Sequence, residues 1–164
     1  MSPKECMIRL KNELDDISRK NVNSLFSVAT QNRNLFIWDI KIFGPPDTIF
    51  EGGIFNCEIT FPQEYPNKAP QFKFLDNLFH PNIYEDGKVC ISIAHEGIDE
   101  FGYEKISERW SPTQTVETFL ISIISMLASP NLESPANVSA SKMWRDDFNE
   151  YKKIIYNMVS KSQN

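Results

Sequence analysis

The chain has 164 residues, the size of one compact domain, so a single catalytic domain spanning 1–164 is expected. An apolar share of 41% beside a charged share of 24% excludes disorder or collagen-like repetition as a description of the whole. A net charge of −5 repels phosphate backbones, so no nucleic-acid partner is expected.

The longest apolar stretch, Phe119 to Ala128, is interrupted by Ser122 and Ser125. It falls far short of the roughly 20 residues that span a bilayer, so no membrane insertion is expected. The charged start, Met1-Ser2-Pro3-Lys4-Glu5-Cys6, lacks the apolar segment of a signal peptide. A cytoplasmic location follows, or a nuclear one, where thiols stay reduced. Cys6, Cys57 and Cys90 form no CxxC pair, and His80 and His95 are not helix-paired. Neither a metal nor another cofactor is expected.

Ser2-Pro3-Lys4-Glu5 reads as a capping box with proline at the first helical position. Met7, Leu10, Leu14 and Ile17 then recur at helical spacing to about Ser18. Asn21 to Val28 and Leu35 to Phe43 are β-rich runs joined through Gln31-Asn32-Arg33-Asn34. After the breakers Gly44-Pro45-Pro46-Asp47 and Gly52-Gly53, Phe55, Cys57, Ile59 and Phe61 alternate with polar residues, the period of a half-buried strand. Pro62, Pro66 and Pro70 punctuate a loop before a fourth strand at Gln71 to Leu75. Short consecutive links predict an antiparallel meander.

Asp76 to Trp110 carries no regular pattern, and structureless segments of that length inside a compact domain usually serve function. Ser111-Pro112-Thr113-Gln114 reads as the start of an apolar helix running to Ala128, ended by Ser129-Pro130. Asn137 caps a last helical region with Met143, Trp144, Phe148, Tyr151, Ile155 and Met158 on its buried side and a break near Asp146-Asp147. The expected class is α+β: an N-terminal helix, a four-stranded meander, a long active-site loop and C-terminal helices.

Among the cysteines, Cys57 lies on the apolar face of its strand and reads as a small buried hydrophobe. Cys6 lies in the first helical turn and is expected to be partly buried and inert. In Val89-Cys90-Ile91-Ser92-Ile93 the alternate residues are apolar, so an extended segment turns Cys90 outward, beside the polar turn Glu85-Asp86-Gly87-Lys88. An exposed thiol in a reducing compartment is a reactive one. His80-Pro81-Asn82 precedes it closely, which raises a thiol-hydrolase reading with His80 as base. The loop's many carboxylates disfavour a thiolate, and Asn82 can instead donate its amide to a developing oxyanion, with His80 ordering the turn.

These residues resemble the ubiquitin-conjugating enzymes over about Glu5 to Val159. The shared landmarks are Gly44-Pro45, Gly52-Gly53, Phe61-Pro62, Tyr65-Pro66, His80-Pro81-Asn82, Cys90 eight residues on, Trp110-Ser111-Pro112 and Pro130-Asn131. Within the family the chain is most similar to the class G type, with an acidic insertion at about His95 to Glu108 and Cys-Ile-Ser-Ile at the active site. The resemblance implies that Cys90 accepts ubiquitin from an activating enzyme as a thioester and passes it to lysine amines. Asn82 would be the oxyanion donor. It also implies a RING-type ligase as partner, protein substrates, polyubiquitin chains and degradation, with recruitment to the endoplasmic reticulum surface by a partner.

A lysine amine, with a pKa near 10.4, must shed a proton before attack. His95 or carboxylates of the insertion, such as Asp99 and Glu100, are candidates to hold it and take that proton. Ser134 stands where many members carry an aspartate and cannot supply that charge. The ligase surface is expected to combine Arg9, Asn12, Asn67, Trp110, Ser111, Pro112 and Thr113. A non-catalytic ubiquitin-binding module of the same fold would lack the cysteine, and a related modifier could replace ubiquitin.

Overall fold

A computed structural model describes residues 2–20, 25–96 and 109–164. Helix α1, Pro3–Lys20, is opened by the expected capping box: Glu5 accepts from the Ser2 backbone N–H at 2.8 Å while Ser2 Oγ accepts from that of Glu5 at 3.3 Å. Strands β1 (Phe26–Gln31), β2 (Asn34–Phe43), β3 (Ile54–Thr60) and β4 (Gln71–Phe74) follow in sequence order as one antiparallel sheet. Asn32 and Arg33, both at positive φ (52° and 63°), make the two-residue turn whose twist suits a β1–β2 hairpin. The first strand therefore begins and ends later than the sequence suggests.

Alternation in β3 buries Phe55, Cys57 and Ile59, and they share one face with Trp38, Ile40 and Ile42 of β2 and Phe72 and Phe74 of β4. Onto that face packs α2, Val116–Ala128, which buries Val116, Phe119, Leu120, Ile123, Ile124, Met126 and Leu127. A helix apolar on nearly every side belongs inside. Helices α3 (Val138–Asp146) and α4 (Phe148–Ser162) close one end, capped by Asn137 and Asp147.

Several local expectations are corrected. Ser111 to Gln114 does not open α2. Ser111 Oγ shares a hydrogen bond with Thr113 Oγ1 at 2.7 Å, the Gln114 N–H closes a turn onto the Ser111 carbonyl, and Thr115 with Thr118 forms the capping box instead. On α1 the buried stripe is Cys6, Leu10 and Glu13; Met7 is 45% exposed and Cys6 is wholly buried, not partly. On α4 Tyr151 and Ile155 are buried as expected, whereas Phe148 lies at the surface. Ser92–Ala94 forms a 3-10 turn, so the extended backbone stops at Ile91, which is only half-buried.

Glu13 ties α1 to the β3–β4 loop and to the start of α2. Its Oε1 accepts from the Val116 N–H at 2.8 Å; its Oε2 accepts from Arg9 Nε at 2.8 Å and from the Tyr65 hydroxyl. The Arg9 guanidinium also donates to the carbonyls of Pro112 (3.2 Å) and Gln114 (2.9 Å). A buried charge is tolerable only when its lone pairs are satisfied in this way.

Candidate active site

Residues 82–90 form a small hairpin against the edge of the sheet. Ile83 bridges Val89, Lys88 bridges Lys73 of β4, and the Cys90 N–H donates to the Asn82 carbonyl at 2.8 Å. The turn at its tip brings Gly87 so close to β4 that an added Cβ would lie 2.0 Å from the Phe74 carbonyl oxygen. Gly87 also sits at φ +91°, so no other residue type fits comfortably. Val89 faces the core, and Lys88 and Cys90 face out, as the alternation predicts.

Cys90 is half-exposed, whereas Cys6 and Cys57 are buried. Burial pushes both buried thiols up, helped by Glu64 at Cys6 and Asp76 at Cys57, so neither is a nucleophile near neutrality.

The triplet before the hairpin is a hub. His80 is wholly buried and its Nε2 lies 3.1 Å from the carbonyls of both Met126 and Leu127, the end of α2. Its Nδ1 accepts from the Asn82 N–H at 3.0 Å, which fixes the neutral tautomer with the proton on Nε2. Desolvation drives its pKa down to about 4, against the smaller pull of those carbonyls. With both nitrogens occupied, His80 cannot serve Cys90 as a base, and the hydrolase reading loses its second catalytic group.

The Pro81 carbonyl accepts from the N–H groups of Ala136 (2.8 Å) and Asn137 (3.0 Å). Asn82 Nδ2 donates to the Asn131 carbonyl at 2.8 Å, and Asn82 Oδ1 accepts from the Asn131 N–H at 2.9 Å. One of its two amide hydrogens is thus committed, and the side chain is 1% exposed. Together the triplet fastens the stretch 126–137, with exposed Ser134 on it, beside the hairpin that carries Cys90.

Tyr84, missed in the sequence, belongs here. It stands opposite Lys88 in the hairpin, and a hydrogen bond to the Cys90 side chain is the main cause raising its phenol's pKa. The same period-two pattern that turns Cys90 outward would have found it.

The expected ligase surface divides. Asn12, Asn67, Pro112 and Thr113 are exposed and Ser111 is half-buried. Trp110 is not: it is 5% exposed, with Nε1 donating to the Pro66 carbonyl at 2.8 Å, so it props the loop from beneath. Arg9 spends its guanidinium on the carbonyls of Pro112 and Gln114 in that loop's backbone.

His95 is half-buried, and its carbonyl accepts from the Trp110 N–H at 2.8 Å. Glu96 Oε1 accepts from the Ala69 N–H at 2.7 Å. Asp99 and Glu100 lie outside the described residues. Among the described residues no group of three His, Cys, Asp or Glu could hold a metal ion, and no helix is long and apolar enough to cross a membrane.

The sequence profile of the ubiquitin-conjugating enzymes matches residues 9–159. The chain is 49% identical to "Ubiquitin-conjugating enzyme E2 7" of Arabidopsis thaliana over 160 residues, covering 97% of this chain and 96% of that one. It is 48% identical to "Ubiquitin-conjugating enzyme E2 G2" of Homo sapiens over 155 residues, 94% of each. A likeness to the class G type is therefore found along with the fold. The chain belongs to the ubiquitin-conjugating enzyme family.

Proposed function

We propose that Cys90 accepts ubiquitin from the activating enzyme as a thioester and transfers it, with a RING-type ligase, to lysine amines of protein substrates. The products include polyubiquitin chains that mark proteins for degradation, at the endoplasmic reticulum among other places. The observation that carries this is the contrast between three thiols: Cys90 alone is accessible, at the rim of a hairpin braced by Asn82.

Exchange between two thioesters is nearly balanced, so Cys90 needs little activation to be charged. Attack by lysine is the harder step. It puts negative charge on the carbonyl oxygen, and the second amide hydrogen of Asn82 is the donor for it. Lysine holding falls to His95 and the insertion, Asp99 and Glu100 included, in place of the charge that Ser134 lacks. Neutralising Asp99 and Glu100 should slow chain formation at low salt and leave charging intact; equal chain-building rates would reduce the insertion to a solvated loop.

The decisive experiment mixes the protein with activating enzyme, ATP and ubiquitin and runs a non-reducing gel. A thiol-sensitive adduct that becomes a stable ester in Cys90→Ser supports the reading. An adduct that persists in Cys90→Ala overturns it. Arms with related modifiers identify the cargo. Docking is tested separately: Pro112→Ala and Asn67→Ala should lower ligase-stimulated discharge without touching charging.

A further inference from the structure

Residues directly opposite each other on paired strands share a face, and two such steps lead from the sheet to the hairpin of Cys90. Glu58 of β3 stands opposite Lys73 of β4, and Lys73 stands opposite Lys88 across the bridge that joins the hairpin to the sheet edge. Cys90 lies two residues beyond Lys88 with Val89 turned inward between them, so Lys88 and Cys90 leave the same outward side. Like charges set directly opposite repel, and little offsets that here. Among the described residues Lys73 meets Glu58 at 4.0 Å and Lys88 meets Asp86 at 3.9 Å, and the two lysine side chains are 47% and 69% exposed. Ion pairs so long and so open to water are weak.

A cleft of about 300 Å³ lies along this edge, and Lys73, Lys88, Glu58, Thr60, Gln71 and Phe72 line it. Thr60 and Gln71, opposite each other in the register, bring a hydroxyl and an amide. Two ammonium groups against one carboxylate leave the cleft positive. Cationic and neutral donors beside an apolar ring fit a carboxylate on a short methylene stem. That is the side chain of aspartate or glutamate.

We propose that this cleft is a subsite for acidic side chains of the protein substrate, so that Cys90 discharges faster to lysines with an aspartate or glutamate close by in sequence. This rests on the reading of Cys90 as the thioester residue and gives that site a specificity. Backbone geometry sets the spacing. The Cα atoms of Lys88 and Cys90 are about 6–7 Å apart, and an extended substrate advances as far in two residues, which also returns its side chain to the same face. An acid two positions from the acceptor lysine therefore reaches the cleft while the amine reaches the thioester. Selection works by repulsion as well as attraction. A bare acceptor lysine meets two charges of its own sign beside the thiol, and a neighbouring carboxylate reverses the balance. Edge lysines also deter strand pairing, but that duty needs neither a cleft nor neutral donors.

The test charges the full chain with lysine-free ubiquitin, removes ATP and follows single-turnover discharge onto two synthetic peptides. Each carries one lysine, and they differ only in glutamate or glutamine two positions after it. The ratio of the two rates is the readout, because a change in overall reactivity cancels from it. The acidic peptide should react about three- to tenfold faster at low salt, the worth of two solvated ion pairs, and the ratio should fall toward one as ionic strength rises. Lys73→Gln with Lys88→Gln should bring it close to one. Lys73→Glu with Lys88→Glu should turn the preference to a third peptide with arginine at that position, an exchange that a weakened fold cannot produce. A ratio of one in the parent, or an acidic preference unchanged in the double variants, would overturn the proposal. Failure to form any thioester would instead sink the reading of Cys90, and the subsite with it.

Discussion

Replacing Asn82 with alanine separates the two duties this side chain holds. In the structure its amide closes two hydrogen bonds, 2.8 and 2.9 Å, on the backbone of Asn131. Truncation strands one carbonyl and one N–H on a loop whose own side chain is exposed, so water recovers part of the loss. At about 1–1.5 kcal/mol for each broken bond, the expected cost is about 2–3 kcal/mol. For a chain of this size each kcal/mol moves the melting temperature by about 2–4 °C, which puts the fall at about 4–12 °C. Asn131→Ala is the control. It keeps the backbone partners of Asn82 and loses only the bond that Asn131 Oδ1 accepts from the Glu133 N–H, about 1 kcal/mol. Calorimetry on both variants gives the stability arm. Single-turnover charging and discharge to free lysine, run well below the transition, give the catalytic arm. Charging should survive in Asn82→Ala, and discharge should slow about 10²–10³-fold if the free amide hydrogen serves the oxyanion. A melting temperature equal to the parent's would refute the bridging argument. A lowered melting temperature with unchanged discharge per charged molecule would confine Asn82 to the fold.

His80 makes stability pH-dependent. Its pKa is about 4 when folded and near 6.5 when unfolded, so the unfolded chain binds the extra proton between those values. Stability should be fully present above about pH 6.5 and fall by on the order of 3 kcal/mol as pH drops to 4, read from urea midpoints; His80→Gln should flatten that window. Glu13→Ala leaves the Val116 N–H, the Tyr65 hydroxyl and Arg9 Nε without their acceptor and should cost about 2–4 kcal/mol in urea unfolding, against about 1 kcal/mol for Tyr65→Phe. A Glu13→Ala cost no larger than that of Tyr65→Phe would mean that the network contributes little. In the native protein iodoacetamide should label Cys90 and spare Cys6 and Cys57, as peptide mapping would show. Rapid labelling at Cys57 would contradict its burial.

The period-two pattern of β3, the capping signals at Ser2 and Asn137 and the break near Asp146-Asp147 were legible because they are local. Each depends on residues within one turn or one strand. The exposure of Cys90 was legible for the same reason. The start of α2 was not: Ser111-Pro112 and Thr115-Val116 both carry opening signals, and the choice went to Thr115, whose neighbour Val116 gives its N–H to Glu13 over 100 residues away. The same distance hid Arg9. A charged residue on an exposed helix reads as a contact for partners, and only the tertiary fold shows it gripping the backbone of Pro112 and Gln114. His80 and Asn82 carried their identity in the triplet, but their partners, Met126, Leu127 and Asn131, sit 45 or more positions downstream.

The hairpin that carries Cys90 also lies along β4, an edge strand of the sheet. An open edge offers unpaired N–H and C=O groups to any extended chain that drifts past, the usual route to fibrils. Here the Phe74 N–H is already given to Gly87, and lysines stand on both sides of the seam at 73 and 88. The half-exposed thiol of Cys90 thus sits next to a border whose hydrogen-bonding groups are partly taken by the chain itself. Opening the turn at Gly87 would bare that border and so lower the molecule's resistance to aggregation.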